Sequence, residues 1–241
     1  TKTVLLSTIL FALGAMLVCF GALSMPTKQA QAYAAGSSAT LSAEWKNGLS
    51  YNITNLTITN KNFDTNQTFV QTLDVSDSTS QNSLTAYVTG DTTNGYDCTI
   101  YADVEKIYAP ADSSTLFSGW AIQLPPVPNK LIHLESLTFD DCWDTSNVTN
   151  MIGLFLGNSE LTNVTGFDNW DTSNVEFFSF MFAGCESLTE LNLNNFDTKN
   201  VDLSSFAFAM TFASFYTETG NTSLYAIADY LAIEYEVDEL T

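Results

Sequence analysis

The sequence predicts an α/β solenoid of short parallel strands and short helical turns, preceded by a small β-rich N-terminal cap. A six-residue motif recurs at residues 143–148, 170–175 and 196–201, at steps of 27 and 26 residues. Apolar residues keep the same phase, since Phe155 and Phe182 each follow the start of the motif by 12 residues. Short runs of alternating apolar and polar residues precede the repeats, as in β-strands. A fixed period of 20 to 29 residues is typical of a solenoid.

Each repeat is expected to contain a strand, a turn and a returning segment. Leu191 and Leu193 share one strand face, because side chains alternate along a strand. The Asp-Thr-Ser-Asn sequence is typical of a turn, in which Asp and Asn side chains bond nearby backbone groups. Val148, Met151 and Phe155 follow at i, i+3 and i+7, which predicts one or two helical turns. The predicted repeat core comprises Leu134, Leu137, Trp143, Val148, Met151, Phe155, Leu161, Val164, Trp170, Val175, Phe182, Leu188, Leu191, Leu193, Phe196, Val201 and Phe208.

Five segments are expected along the chain. They are a signal peptide (1–32), a linker (33–48), a β-rich N-terminal unit (49–112), a repeat array (113–215), and a C-terminal cap or truncated repeat (216–241). Because a stack of repeats needs a cover over its first exposed core, the β-rich unit is interpreted as an N-terminal cap.

The first repeat is expected to carry an insertion. Phe117 precedes Trp143 by 26 residues, whereas Phe155 precedes Trp170 by 15. About eleven extra residues around Pro125 account for the difference, and insertions in repeat proteins usually form loops.

The start of the chain predicts export. Lys2 precedes an apolar run over residues 4–23, and a small-residue Ala-Gln-Ala pattern ends at Ala32. A charged start, an apolar stretch and such a site are typical of a secretory signal peptide. An uncleaved anchor is the alternative, because about 20 apolar residues span a bilayer. We therefore expect a secreted or cell-surface protein, with no membrane insertion after cleavage.

The charge balance excludes some partners. The chain has 27 acidic residues against 7 basic ones, and its formal net charge is -20. Nucleic acid is not an expected partner, since phosphate binding needs Lys and Arg. We also expect no enzyme activity: no paired catalytic motif or phosphate loop is present, and His133 has no partnered nucleophile in the sequence pattern.

Two residue sets are weighed as binding sites. Asp144, Asp171 and Asp197 occupy one position in successive repeats, where they either cap turns or form a weak candidate calcium site. No other cofactor is expected. Cysteine spacing gives no support for zinc, and the state of the thiols of Cys98, Cys142 and Cys185 is left open.

The large aromatic residues allow two interpretations. Trp143, Trp170 and Phe196 lie at repeat-phase positions, so they either anchor the core or offer a stacking surface for sugars. Trp45 and Trp120 lie outside that phase and are candidates for exposed residues.

The repeats resemble the BspA-like leucine-rich repeat surface proteins. The resemblance lies in residues 169–175 and 181–193, which follow the pattern D-T-S-x-V-x-x-M-x-x-M-F-x-x-C-x-S-L-x-x-L-x-L, and it extends over about 113–212. Phe177 and Phe178 depart from the pattern. The resemblance implies a leucine-rich repeat fold, a cell-surface location and no catalytic residues.

Two functions follow as hypotheses. One is adhesion or protein–protein interaction with host or neighbouring cells, through an extracellular protein or glycan ligand. The alternative is a non-binding structural spacer within a larger surface protein. A binding function is favoured by export and by the use of repeat stacks as binding surfaces.

Overall fold

The structure is a computed structural model that describes residues 34–120 and 129–188, followed by residues 191, 193, 195–197 and 199–200. All of these residues belong to the compact unit Tyr33–Thr241. Several predictions lie outside the described residues, namely the signal peptide 1–32, the core residues Val201 and Phe208, and the C-terminal cap 216–241.

The described residues form nine strands and two short 3-10 helices. The strands are β1 (Ser38–Thr40), β2 (Ile53–Thr59), β3 (Gln71–Asp74), β4 (Thr85–Asp91), β5 (Gly95–Tyr101), β6 (Lys106–Tyr108), β7 (Ser136–Phe139), β8 (Trp143–Asp144) and β9 (Asn163–Thr165). The 3-10 helices are Trp45–Gly48 and Phe167–Asn169. None of the helices in the described residues is long and apolar enough to cross a membrane.

The strands lie in two sheets. The larger has the order β3-β4-β5-β2-β7-β9, and the smaller has the order β1-β6-β8. Strands β3, β4 and β5 pair in antiparallel fashion, whereas β5, β2, β7 and β9 are parallel neighbours. The smaller sheet is parallel throughout. The parallel pairings join segments distant in sequence, so successive repeats lie side by side.

The predicted α/β leucine-rich-repeat solenoid is wrong. The described part of the chain is mostly β, with two sheets and almost no helix. The segment that begins at Val148 was expected to be helical, but its alternate N–H groups bond to the next repeat. Met151 N donates to Phe177 O at 2.8 Å, and Phe155 N donates to Met181 O at 2.9 Å. These donors are therefore not available for the i to i−4 bonds of an α-helix.

The same arrangement joins the first repeat to the second. Ser113 N donates to Asn150 O at 2.9 Å, and Phe117 N donates to Leu154 O at 2.9 Å. Asp112 pairs with Asn150, 38 positions later, whereas Asn150 pairs with Phe177, 27 positions later. The difference matches the insertion of about eleven residues that the sequence predicts. Residues 121–128 of that insertion lie outside the described residues.

The segment expected to be a linker is folded. Strand β1 pairs with β6, and Leu41 and Trp45 are buried. The indole Nε1 of Trp45 donates to Leu116 O at 3.1 Å. Trp45 is only 2% exposed, so its expected exposure is wrong, whereas Trp120 is 61% exposed. The N-terminal segment thus covers the turns of the first repeat.

Lys46 reinforces this cover. Its Nζ donates to Thr115 O at 2.6 Å and to Ser118 O at 3.2 Å. Burial lowers the pKa of the Lys46 ammonium from the ordinary value of 10.5 to about 8, because desolvation disfavours the charged form.

Aromatic side chains stack between repeats in the core. The rings of Phe117 and Phe155 lie 5.9 Å apart at 15°, and those of Phe155 and Phe182 lie 5.2 Å apart at 14°. These three rings are at most 1% exposed. Of the predicted core residues, the buried ones are Leu134, Leu137, Trp143, Val148, Met151, Phe155, Leu161, Trp170, Val175, Phe182, Leu188, Leu191 and Leu193. Val164 and Phe196 are partly buried against them.

Replacement of the central ring is expected to destabilise the fold. Phe155→Ala removes a fully buried ring that contacts a ring in each neighbouring repeat, so we expect a loss of about 3–5 kcal/mol in the free energy of unfolding. Urea denaturation measures the loss, and Ile132→Ala, at a side chain that is 46% exposed, is the control. Equal losses in the two variants would contradict the stacked core.

Gly166 allows a second test. It has φ 97° and precedes the helix Phe167–Asn169, and a methyl group there would overlap the main-chain oxygen of Phe139. Gly166→Ala is therefore expected to lower the melting temperature more than Gly36→Ala. Gly36 has φ 73° but open space around it, so its substitution adds only the strain of about 1–2 kcal/mol. A smaller fall in melting temperature for Gly166→Ala than for Gly36→Ala would contradict the close approach of Gly166 to the main chain of Phe139.

Lys46 predicts a dependence of stability on pH. The unfolded chain binds its Lys46 proton more tightly than the folded chain, since the folded pKa is about 8 and the ordinary value is 10.5. Stability contributed by Lys46 should therefore rise with pH between these two values. Melting temperatures at pH 7.5 and 9.5, compared between the wild type and Lys46→Met, measure the effect. A wild-type trend that Lys46→Met leaves unchanged would refute this assignment.

Candidate functional site

The recurring motif forms a column of turns, and its threonines join one turn to the next. Thr145 Oγ1 donates to Asp171 O at 2.9 Å, and Thr172 Oγ1 donates to Asp197 O at 3.1 Å. Both threonines are buried, at 2% and 1% exposure. The threonine of the motif therefore has a structural role between repeats.

The aspartates of the motif cap their own turns. Each carboxylate accepts a hydrogen bond from the backbone N–H two residues later, at 3.0 Å for Asp144, 2.9 Å for Asp171 and 3.0 Å for Asp197. Hydrogen bonds from Ser173 lower the pKa of Asp171. At Asp144 burial acts to raise the pKa, but hydrogen bonds from Ser146 and the Lys106 ammonium lower it overall.

The geometry gives no support to the calcium hypothesis. Lys106 Nζ lies 3.2 Å from Asp144 Oδ2, and Lys199 Nζ lies 2.6 Å from Asp197 Oδ2. Within the part of the chain that is described, no group of three or more His, Cys, Asp or Glu residues is placed to hold a metal ion. Two of the three candidate aspartates are instead paired with lysines, and Asp171, which lies between them in the sequence, caps its turn.

The asparagines of the motif lie on the outer side of the same column. Asn174 Nδ2 donates to Ser146 O at 2.8 Å, and Asn200 Nδ2 donates to Ser173 O at 2.5 Å. An open groove of about 550 Å³ runs across these turns. It is lined by Ser146, Asn147, Thr149, Asn174, Glu176 and Asn200. We call it the turn groove.

Two residues of the turn groove have side chains without bonding partners among the described residues. Asn147 and Glu176 are exposed, and their side chains form no hydrogen bond or ion pair with the described residues. Neither residue stands out in the sequence. The recurrence of Asn at 147, 174 and 200 is the available signal, and it equally predicts turn formation.

The three cysteines that the structure describes offer no reactive site. Cys98, Cys142 and Cys185 are free thiols and all are buried. Burial raises the pKa of each thiol to about 12. Reaction as a thiolate is therefore disfavoured, because the thiolate is the nucleophilic form. Cys185 Sγ lies 3.2 Å from Phe155 O, which fits a buried structural residue.

His133, Trp143 and Trp170 also lack a binding geometry. His133 Nδ1 lies 2.9 Å from Glu160 Oε1 in an exposed pair. Trp143 and Trp170 are buried and pack on Phe139, with ring centroids 5.5 and 5.0 Å from it. The alternative role as a sugar-stacking surface is therefore wrong for these two tryptophans, because neither ring is accessible, whereas Phe196 is partly buried.

Comparisons with known proteins give one match. Residues 132–230 match the sequence model of a family described as "Mycoplasma protein of unknown function, DUF285". The match covers most of the predicted repeat array and is consistent with a repeat surface protein, but it does not identify a leucine-rich repeat. No curated protein and no solved structure matches the chain.

Proposed function

We propose that the chain is a non-enzymatic binding module, secreted or displayed at a cell surface, that holds an extracellular protein in the turn groove. The observation that carries this proposal is a groove of about 550 Å³ that crosses successive repeats. Asn147 and Glu176 face it without internal partners. Exposed polar groups without internal bonds are available to a partner at no cost to the fold.

The chemistry of the groove favours a polar, basic segment of a protein. The Asn147 amide both donates and accepts, as peptide groups do. The Glu176 carboxylate accepts from Lys or Arg. The net charge of -20 raises the rate at which a basic partner arrives, because long-range charge steers association.

Export and family resemblance support the location. Lys2, the apolar run 4–23 and the site at Ala32 support a signal peptide. The match over residues 132–230 and the motif pattern together support a relation to BspA-like surface proteins. That relation adds an adhesion role to the proposal.

A structural spacer is the second candidate. It is favoured by the use of repeated polar side chains to join repeats, as Thr145, Thr172, Asn174 and Asn200 all do. In a spacer the repeated motif would serve stacking alone, and Asn147 and Glu176 would simply face solvent.

Charge reversal in the groove distinguishes the two functions. The full chain is tested for saturable binding to a panel of immobilised extracellular-matrix proteins. Glu176→Lys should weaken binding by about tenfold, because it opposes a charged contact. Glu186→Lys is the matched control, since Glu186 is also exposed but does not line the groove. Binding to no matrix protein would reject the proposal and favour the spacer. Equal loss in both variants would reject the turn groove as the binding surface.

A further inference from the structure

The outer face of the larger sheet carries a continuous row of threonines. Backbone register places Thr99 of β5 beside Thr57 of β2, then Thr138 of β7 and Thr165 of β9. Tyr87 of β4 continues the row beyond Thr99. Neighbouring strands lie about 4.8 Å apart, so the row presents regularly spaced side chains across five strands. We call these five residues the threonine row.

Several hydroxyl groups of the threonine row form no hydrogen bond with the described residues. Thr165 Oγ1 donates to Thr138 Oγ1 at 3.3 Å. The hydroxyl groups of Thr57 and Thr99 form no hydrogen bond with the described residues. Thr57, Thr99 and Thr138 are half-buried and Thr165 is exposed. Each free hydroxyl can donate one hydrogen bond and accept others.

The adjacent row behaves differently, because its polar groups bond to one another. Asn55 Nδ2 donates to Asp97 Oδ1 at 2.7 Å, and Ser136 Oγ donates to Asn55 Oδ1 at 2.5 Å. The carboxylate of Asp97 is thus held by an amide beside the threonine row. The unbonded hydroxyls of Thr57 and Thr99 therefore lie beside a row in which the side chains of Asn55, Asp97 and Ser136 bond to one another.

Aromatic rings gather at the Tyr87 end of the row. The ring of Tyr87 lies 4.7 Å from that of Phe69 and 5.0 Å from that of Phe63, and Phe63 lies 5.5 Å from Tyr101. All four residues are half-buried. They place a partly exposed apolar surface beside the hydroxyls.

We propose that the threonine row binds an uncharged glycan chain. Its hydroxyls match a hydroxyl-rich ligand, and the neighbouring rings match the apolar faces of sugar rings. Charge also favours an uncharged ligand. The row carries no ionisable group other than the Tyr87 phenol, and the net charge of the chain is -20. A polyanion is repelled by the chain, and a polycation finds no carboxylate in the row. This surface differs from the turn groove, so the proposal goes beyond the function argued above.

The test is affinity electrophoresis of the full chain through gels that contain dextran, β-glucan or galactomannan, with heparin as the charged comparison. We expect at least one neutral polysaccharide to retard the wild type. The double variant Thr57→Val with Thr138→Val removes two hydroxyls but keeps β-branched shapes, and should weaken retention by about tenfold. Thr93→Val, in the β4–β5 turn, is the matched control.

Two further variants keep the test decisive. Thr57→Ser with Thr138→Ser retains the hydroxyls and should retain binding. Glu176→Lys, in the turn groove, should leave polysaccharide retention unchanged, which separates this proposal from the groove. The proposal is overturned if no neutral polysaccharide retards the wild type, if only heparin does, or if the Val and Ser variants behave alike.

Discussion

The arrangement of the whole repeat region depends on where alternate backbone N–H groups donate. In the segment after each turn, Met151, Gly153 and Phe155 donate to the carbonyls of Phe177, Ser179 and Met181. Buried backbone groups must find partners, and here the partners lie in the next repeat rather than in the same segment. The repeats are thereby held in register, so equivalent side chains form columns. The stacked phenylalanine rings, the bonded threonines and the turn groove all follow from that register.

Part of this architecture could be predicted from the sequence. The period, the insertion and the burial of residues such as Phe182 follow from apolar positions that repeat in phase. The helical segment could not be predicted correctly, because i, i+3 and i+7 spacing shows which side chains face the core but not where the N–H groups donate. The role of Trp45 was also missed, since it lies outside the repeat phase and is buried by contacts distant in sequence.

The two proposed surfaces also could not be predicted from the sequence alone. Asn147 and Glu176 became candidates only once their neighbours in the column were seen to use their side chains for stacking. The threonine row needed the strand register, because Thr57, Thr99 and Thr138 belong to segments with no shared motif. In both cases the distinguishing feature is polar side chains without internal partners beside others that have them. Composition alone does not separate these two classes, since Asn, Ser and Thr are abundant throughout the chain.

The central claim is that alternate N–H groups of the segment after each turn donate to the next repeat, and not to carbonyls four residues earlier in the same segment. Scalar couplings across hydrogen bonds, measured by NMR on the labelled full chain, test it most directly. The account predicts couplings from the amide nitrogens of Gly153 and Phe155 to the carbonyl carbons of Ser179 and Met181. A coupling from the Phe155 nitrogen to the carbonyl of Met151, as an α-helix requires, would contradict it.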